Sequence, residues 1–251
     1  MSAEQPRVVV GSHAELQKVL SSEFAARAAE AIARHGRFVV ALTGGSVAPA
    51  FFPALAALPI DWSRADIFWS DERAVPPDHP ESNYGLASRL FLMPARVPAE
   101  RIHRMPGELP DLEQAARRAS DELKSIAGDP PHLDLALLGV GPDGHIASIF
   151  GLSAVARSAK ADGTSRTGDT GLQPCPPVIA VYNSPKPPAR RLTMSFPVIA
   201  SAGQVIVIAL GAAKAPVMRA AIDGSGETPV AELLRRRTSS LVLLDREAAL
   251  S

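Results

Sequence analysis

Short apolar runs, each the length of a strand, recur along this chain and alternate with stretches of helical periodicity. Residues 7–10, 37–42, 65–69, 133–138, 178–182, 192–195, 205–210 and 241–244 read as strands. Between them, Leu16, Val19, Leu20, Phe24, Ala28 and Ile32 fall at helical spacing, as do Leu112, Ala115, Ala119, Leu123 and Ile126. Further helices are expected over residues 47–58, 82–91, 212–222 and 229–236. Parallel strands need crossover connections and bury both faces, so continuous apolar strands separated by helices predict an α/β fold with a mostly parallel central sheet. In such a sheet the βα loops share one rim, where ligands bind.

The chain has 251 residues, 46% hydrophobic and 21% charged, which suits one domain over residues 1–251. Lys+Arg and Asp+Glu are equal at 26 each, so no global field favours nucleic acid or an anionic membrane. A small-molecule partner is expected, bound at a locally built site. No apolar run approaches the roughly 20 residues of a membrane span. The single cysteine, Cys175, and the lack of a cationic, apolar leader pattern in residues 1–11 point to a cytoplasmic protein. Residues 156–177 are rich in Gly, Ser, Thr, Asp and Pro without periodicity and read as a mobile loop.

Three strand ends carry candidate chemistry. The run Gly139-Val140-Gly141-Pro142-Asp143-Gly144-His145 places one histidine directly behind a buried strand, where it faces a substrate or merely turns a corner. Thr43-Gly44-Gly45-Ser46 joins a strand to a helix, the setting of a phosphate cradle or of an ordinary tight turn, without Walker or dinucleotide spacing. Asp71-Glu72-Arg73 is expected as a loop offering carboxylates and a guanidinium. Lys186, Arg190 and Arg191 form a basic group around a proline-rich loop, with Arg190 the more solvated and Arg191 starting the next strand. Lys214 lies at a helix start, where a cation is disfavoured unless an anion binds nearby. His13, His35, His79, His103 and His132 show no paired ligand spacing, so no metal is expected. No Gly-x-Ser-x-Gly elbow surrounds any serine.

Taken together, Gly44-Gly45-Ser46, Asp71-Glu72-Arg73 with Pro76 and Ser82-Asn83-Tyr84-Gly85, the Gly139 to Ser148 turn and the Ser184 to Pro197 segment resemble the 6-phosphogluconolactonase family in order and character. The likeness spans most of residues 37–216. Thr43 stands where the family commonly has serine, and Gly151-Leu152-Ser153 opens a longer polar connection than is usual. The resemblance implies a modified Rossmann-like, three-layer α/β/α fold shared with glucosamine-6-phosphate deaminase and ribose-5-phosphate isomerase. It also implies hydrolysis of a phosphorylated sugar lactone in the pentose phosphate pathway without a cofactor; a monomer is compatible with this reading. The alternatives are a deaminase-like enzyme and a non-catalytic sugar-phosphate sensor. Arg73 and Ser148 favour the lactonase, because the deaminase has tyrosine at the first position and a glutamate soon after its histidine.

On this reading His145 is the general base on water, with Arg73 and backbone N–H groups near Gly144 stabilising the oxyanion. Asp71 and Asp143 are the two candidates to orient the imidazole; Asp71 is favoured, which would leave Asp143 structural. Thr43, Gly44, Gly45, Ser46, Arg191 and Lys214 are expected to anchor the phosphate, and Lys186 to contribute a further cation.

Overall fold

A sheet of six strands in the order β1-β9-β8-β5-β2-β3 forms the centre of the molecule, every neighbouring pair parallel. The computed structural model describes residues 6–159, 175–237 and 239–249. In chain order its elements are β1 (Arg7–Gly11), α1 (His13–His35), β2 (Phe38–Leu42), α2 (Val47–Ala56), β3 (Ala65–Trp69), β4 (Asp71–Arg73), α3 (Asn83–Ala87), α4 (Leu112–Ala127), β5 (Leu135–Gly139), α5 (Leu152–Ala159), β6 (Val178–Val181), β7 (Arg191–Met194), α6 (Phe196–Ala200), β8 (Gln204–Ala209), α7 (Ala215–Ile222), α8 (Pro229–Arg236), β9 (Leu241–Asp245) and α9 (Arg246–Ala249).

The period-2 alternation of side chains divides the strands between two cores. Phe38, Val40 and Leu42 of β2 share one face with Leu135 and Leu137 of β5, covered by Leu20 and Phe24 of α1 and by Phe51 and Phe52 of α2. Val39, Ala41, Ala136 and Leu138 point the other way, against Leu123 of α4, Met218 of α7 and Leu233 of α8. Burial of each such aliphatic or aromatic side chain stabilises by about 1.5–3 kcal/mol. The α/β/α layering expected from the sequence is therefore present. Helix α1 begins at the anticipated capping box: the Ser12 amide donates to Glu15 Oε2 at 2.7 Å, and the Glu15 amide to Ser12 Oγ at 3.4 Å. It ends where Gly36 adopts φ 85°, a left-handed stop.

The chain runs from β2 outward to β3, but from β5 in the opposite direction to β8. The loops leaving the carboxyl ends of β2 and β5 therefore part, and the crevice between them is the topological switch point where open α/β sheets bind ligands.

Four expectations need correction. Asp71, Glu72 and Arg73 form a strand rather than a loop: β4 pairs antiparallel with β7, which pairs antiparallel with β6 in a separate three-stranded sheet. Three consecutive charges carry no apolar alternation, so nothing local announced this strand. Paired with β4 and with each other, β7 and β6 do not extend the central sheet. The helix expected over residues 82–91 divides into α3 and a wider turn at Ser88–Leu92. Finally, the loop expected from residue 156 begins inside α5, whose backbone is helical to Ala159, while residues 160–174 of that expectation lie outside the described residues.

A buried charge cluster pins β3 to α4. His103 stacks on Phe68 with ring centroids 4.6 Å apart, its Nε2 lies 3.0 Å from Asp66 Oδ1 and its Nδ1 2.8 Å from Glu122 Oε1. Burial alone would push the His103 imidazolium down, but its bonds to the two carboxylates outweigh this and push it up to about 9. A folded-state value above the unfolded one means that the contribution is complete below the ordinary value near 6.5 and is lost as pH rises through about 9. Glu122 is half exposed, which screens its share. Urea unfolding between about pH 7 and about pH 10 should therefore show a loss of about 2 kcal/mol that His103→Gln lacks. Equal pH dependence in the two proteins would contradict the doubly bonded imidazolium.

Candidate active site

Thr43 and Gly139 hold the two sides of the crevice in register. The Thr43 hydroxyl accepts a hydrogen bond from the Gly139 amide at 3.2 Å, so it is a structural tie as well as part of the cleft wall. The following residues, Gly44, Gly45 and Ser46, line the cleft and lead into α2. A side chain on Gly44 would collide with the Asn83 carboxamide, whereas Gly45 has φ +62° and open space around it. Glycine is thus needed first for close approach and then for a left-handed turn. The Ser46 side chain makes no capping bond at the start of α2. The positive end of that helix is therefore turned toward the cleft without a covering hydroxyl.

On the opposite side, the glycine-rich turn is closed by the Gly144 amide donating to the Gly141 carbonyl at 2.9 Å and the Gly141 amide to the His145 carbonyl at 3.0 Å. This tight return puts the side chains of Asp143 and His145 side by side. His145 Nδ1 lies 2.6 Å from Asp143 Oδ1, and the ring packs on Phe150 with centroids 4.5 Å apart. A Cβ on Gly141 would enter the imidazole and the Asp143 carboxylate, which fixes that position as glycine. An ionised carboxylate only accepts, so Nδ1 carries the proton and Nε2 keeps its lone pair. Burial holds the His145 imidazole below its ordinary value of 6.5, against the pull of Asp143 and with help from the Lys186 ammonium. Lys186 Nζ lies 3.4 Å from both Asp143 Oδ1 and His145 Nδ1.

The carboxylate on the imidazole is therefore Asp143, not the favoured Asp71. Buried Asp71 is committed elsewhere: Ser148 Oγ donates to its Oδ2 at 2.7 Å, and Asn83 Nδ2 lies 3.4 Å from its Oδ1. Arg191 Nη1 stands 3.8 Å from Asp71 Oδ2. Neighbouring Glu72 points away and accepts the amides of Arg73, Asn83 and Tyr84 at 2.7, 2.8 and 2.8 Å, fixing the start of α3. Arg73 reaches the cleft with Nη1 donating to the Glu81 carbonyl at 2.6 Å, and its buried Nε has no protein partner among the described residues.

One cleft of about 200 Å³ brings together Thr43, Gly44, Gly45, Ser46, Asp71, Arg73, His145, Lys186, Arg191 and Lys214. That space suits a small polar molecule rather than a dinucleotide. Gly144 is the exception among the expected residues. Its φ of +76° and the tight packing of Thr228 and Val217 around it make it a structural glycine behind the turn. Its amide is occupied by Gly141 and is not free for an oxyanion. The Lys214 ammonium makes no hydrogen bond or ion pair among the described residues; burial pushes it below the ordinary lysine value, with the charge of Lys186 adding to the effect. One contributor was not singled out from the residues themselves. Asn83 lines the cleft and presents a buried Oδ1 with no partner among the described residues, yet its only signal was membership of the Ser-Asn-Tyr-Gly stretch. Asp143 is the second of the two carboxylates expected for the imidazole, and the geometry of the turn selects it over Asp71.

A family profile described as glucosamine-6-phosphate isomerases/6-phosphogluconolactonase matches residues 11–243. The 6-phosphogluconolactonase of Mycobacterium tuberculosis is 37% identical over 231 residues, covering 87% of each chain. That of Streptomyces coelicolor is 34% identical over 262 residues, 98% of this chain and 95% of the relative. Among solved structures, 6-phosphogluconolactonase from Trypanosoma cruzi superimposes with a TM-score of 0.80 at 26% identity, covering 99% of this chain and 97% of that one. A monomeric glucosamine-6-phosphate deaminase, at 22% identity and a TM-score of 0.74 over 97% of this chain and 98% of that one, shares the fold. With a profile match across most of its length and relatives above 30% identity, the chain belongs to the glucosamine-6-phosphate isomerase/6-phosphogluconolactonase family.

Proposed function

We propose that this protein hydrolyses 6-phospho-D-glucono-1,5-lactone to 6-phospho-D-gluconate, the lactonase step of the pentose phosphate pathway, in the cytoplasm. The observation that carries this reading is the pairing of a neutral, carboxylate-oriented His145 with an ammonium, Lys214, that has no protein partner among the described residues, across one polar cleft. An imidazole with Nε2 unprotonated is suited to activate water, and an unpaired cation beside a helix N-terminus is suited to hold a phosphate.

In this mechanism, His145 Nε2 takes a proton from water as the oxygen attacks C1 of the lactone. The carbonyl becomes a tetrahedral oxyanion, held by the guanidinium of Arg73. Collapse re-forms the carbonyl and breaks the bond between C1 and the ring oxygen. The imidazolium returns its proton to that oxygen, and the new carboxyl group ionises. Asp143 keeps the tautomer that this sequence requires and stabilises the imidazolium while it exists. The phosphate lies between Lys214 and the Gly44-Gly45-Ser46 turn, so binding energy remote from C1 holds the reacting carbon near the base. Ser148 is spoken for by Asp71 and Arg191, where the deaminase reading would need an acid.

His145→Ala should lower kcat for lactone hydrolysis, measured above the spontaneous background, by about 10²–10⁴-fold. A rate equal to wild type would remove His145 from the chemistry. Since burial holds the imidazole below 6.5 and the base must be neutral, kcat/KM should rise with pH through a midpoint below 6.5 and then level off. Lys214→Ala should raise KM about tenfold or more with a smaller change in kcat, because the phosphate is bound in ground state and transition state alike. An unchanged KM would move the phosphate elsewhere.

A further inference from the structure

Arg191 lines the cleft, yet most of its hydrogen-bonding capacity is turned away from any ligand. Its Nε donates to the Pro188 carbonyl at 3.0 Å, and Nη2 donates to the carbonyls of Lys186 and Pro187 at 3.2 and 3.0 Å. Nη1 faces Ser148 Oγ at 3.4 Å, beside Asp71. The side chain is 5% exposed. A guanidinium presents five N–H groups in a rigid fork, so one that grips three successive carbonyls and a hydroxyl has little left for a phosphate. Those three carbonyls belong to the loop that carries Lys186.

We infer that Arg191 is a positioning residue for the proposed hydrolysis: it clamps the loop at Lys186, Pro187 and Pro188 so that the Lys186 ammonium stands beside the Asp143–His145 pair. This assigns Arg191 a task other than the expected phosphate contact, and it rests on the reading of His145 as the base. Within the loop itself, the Ser184 hydroxyl donates to the Lys186 carbonyl at 2.8 Å and accepts the Lys186 amide at 3.2 Å, and the Ser184 amide donates to the Ala189 carbonyl at 2.9 Å. Those bonds close the loop on itself; the Arg191 guanidinium fastens its Lys186 to Pro188 stretch to β7, and from there the Lys186 ammonium meets Asp143 Oδ1 and His145 Nδ1, each at 3.4 Å. The consequence is electrostatic. An ammonium at that distance shares the Asp143 carboxylate and opposes protonation of the ring. The other groups facing His145 are Asp143 on its own turn, Asp71 from β4 and the ring of Phe150, while Lys214 acts on Asp143 and Lys186 from the start of α7.

The test is the NMR titration of the His145 imidazole in the ligand-free full chain, its signal identified by its loss in His145→Gln. Lys186→Met should raise the midpoint by about 1 pH unit. Arg191→Lys keeps the positive charge but cannot span three carbonyls; it should raise the midpoint comparably, and the double variant should add nothing further. If Arg191→Lys fails to fold by circular dichroism, Arg191→Gln is read in the same way. A wild-type midpoint in the Arg191 variant, additive shifts, or no shift in Lys186→Met would each overturn the inference. Loss of inorganic phosphate binding in Arg191→Lys with an unmoved titration would return Arg191 to the role of direct anchor. Because no substrate is present, a wild-type protein inactive on the lactone would overturn the proposed reaction and leave the titration result standing on its own.

Discussion

The divergence of the chain at the carboxyl ends of β2 and β5 is the constraint on which the site depends. Because the chain leaves β2 and β5 in opposite directions along the sheet, the connection after β2 passes through α2 on one face and that after β5 through α6 on the other, and the loops that begin them part over the gap. The hydrogen bond between Thr43 and Gly139 fixes the width of that gap at its floor. On one side stands the start of α2, with its helix dipole and two glycines. On the other stands the turn that carries Asp143 and His145. The chemistry occupies a place that the fold was obliged to leave open.

A chain with no net charge builds a cation-rich cleft by spending its carboxylates selectively. Glu72 is consumed by backbone amides, Asp71 by Ser148 and Asn83, and Asp143 by His145 and Lys186. Lys214 is left without an anion of its own among the described residues. Partial burial disfavours the unpaired ammonium, and a bound phosphate would offset this. Binding and base activation thus draw on the same source, a desolvated pocket where charges act at short range. The second, antiparallel sheet contributes by bringing β4 and β7 together, so that Asp71 and Arg191 meet although 120 positions separate them in sequence.

The fold was legible wherever local pattern and burial agree. Helices α4 and α8 begin and end where the apolar spacing and caps place them, and the strands of the central sheet fall within about two residues of their apolar runs. β4 was hidden because its stability comes from pairing with β7 and from bonds to α3, neither of which leaves a trace in Asp71-Glu72-Arg73. At the site, residue identities were legible and partnerships were not. Asp71 and Asp143 are equivalent as letters; only the turn that sets Asp143 against the imidazole separates them.

The sequence by itself determined the layered α/β architecture, the rim on which chemistry would lie and the residues available there, because strand and helix periods and glycine-rich turns are local properties of the chain. The tertiary structure decided which carboxylate holds His145, that Gly144 packs rather than binds, and that Arg191 faces its own loop. Those outcomes depend on which atoms approach within about 3 Å. Such distances are set by elements far apart in sequence, packed around two cores.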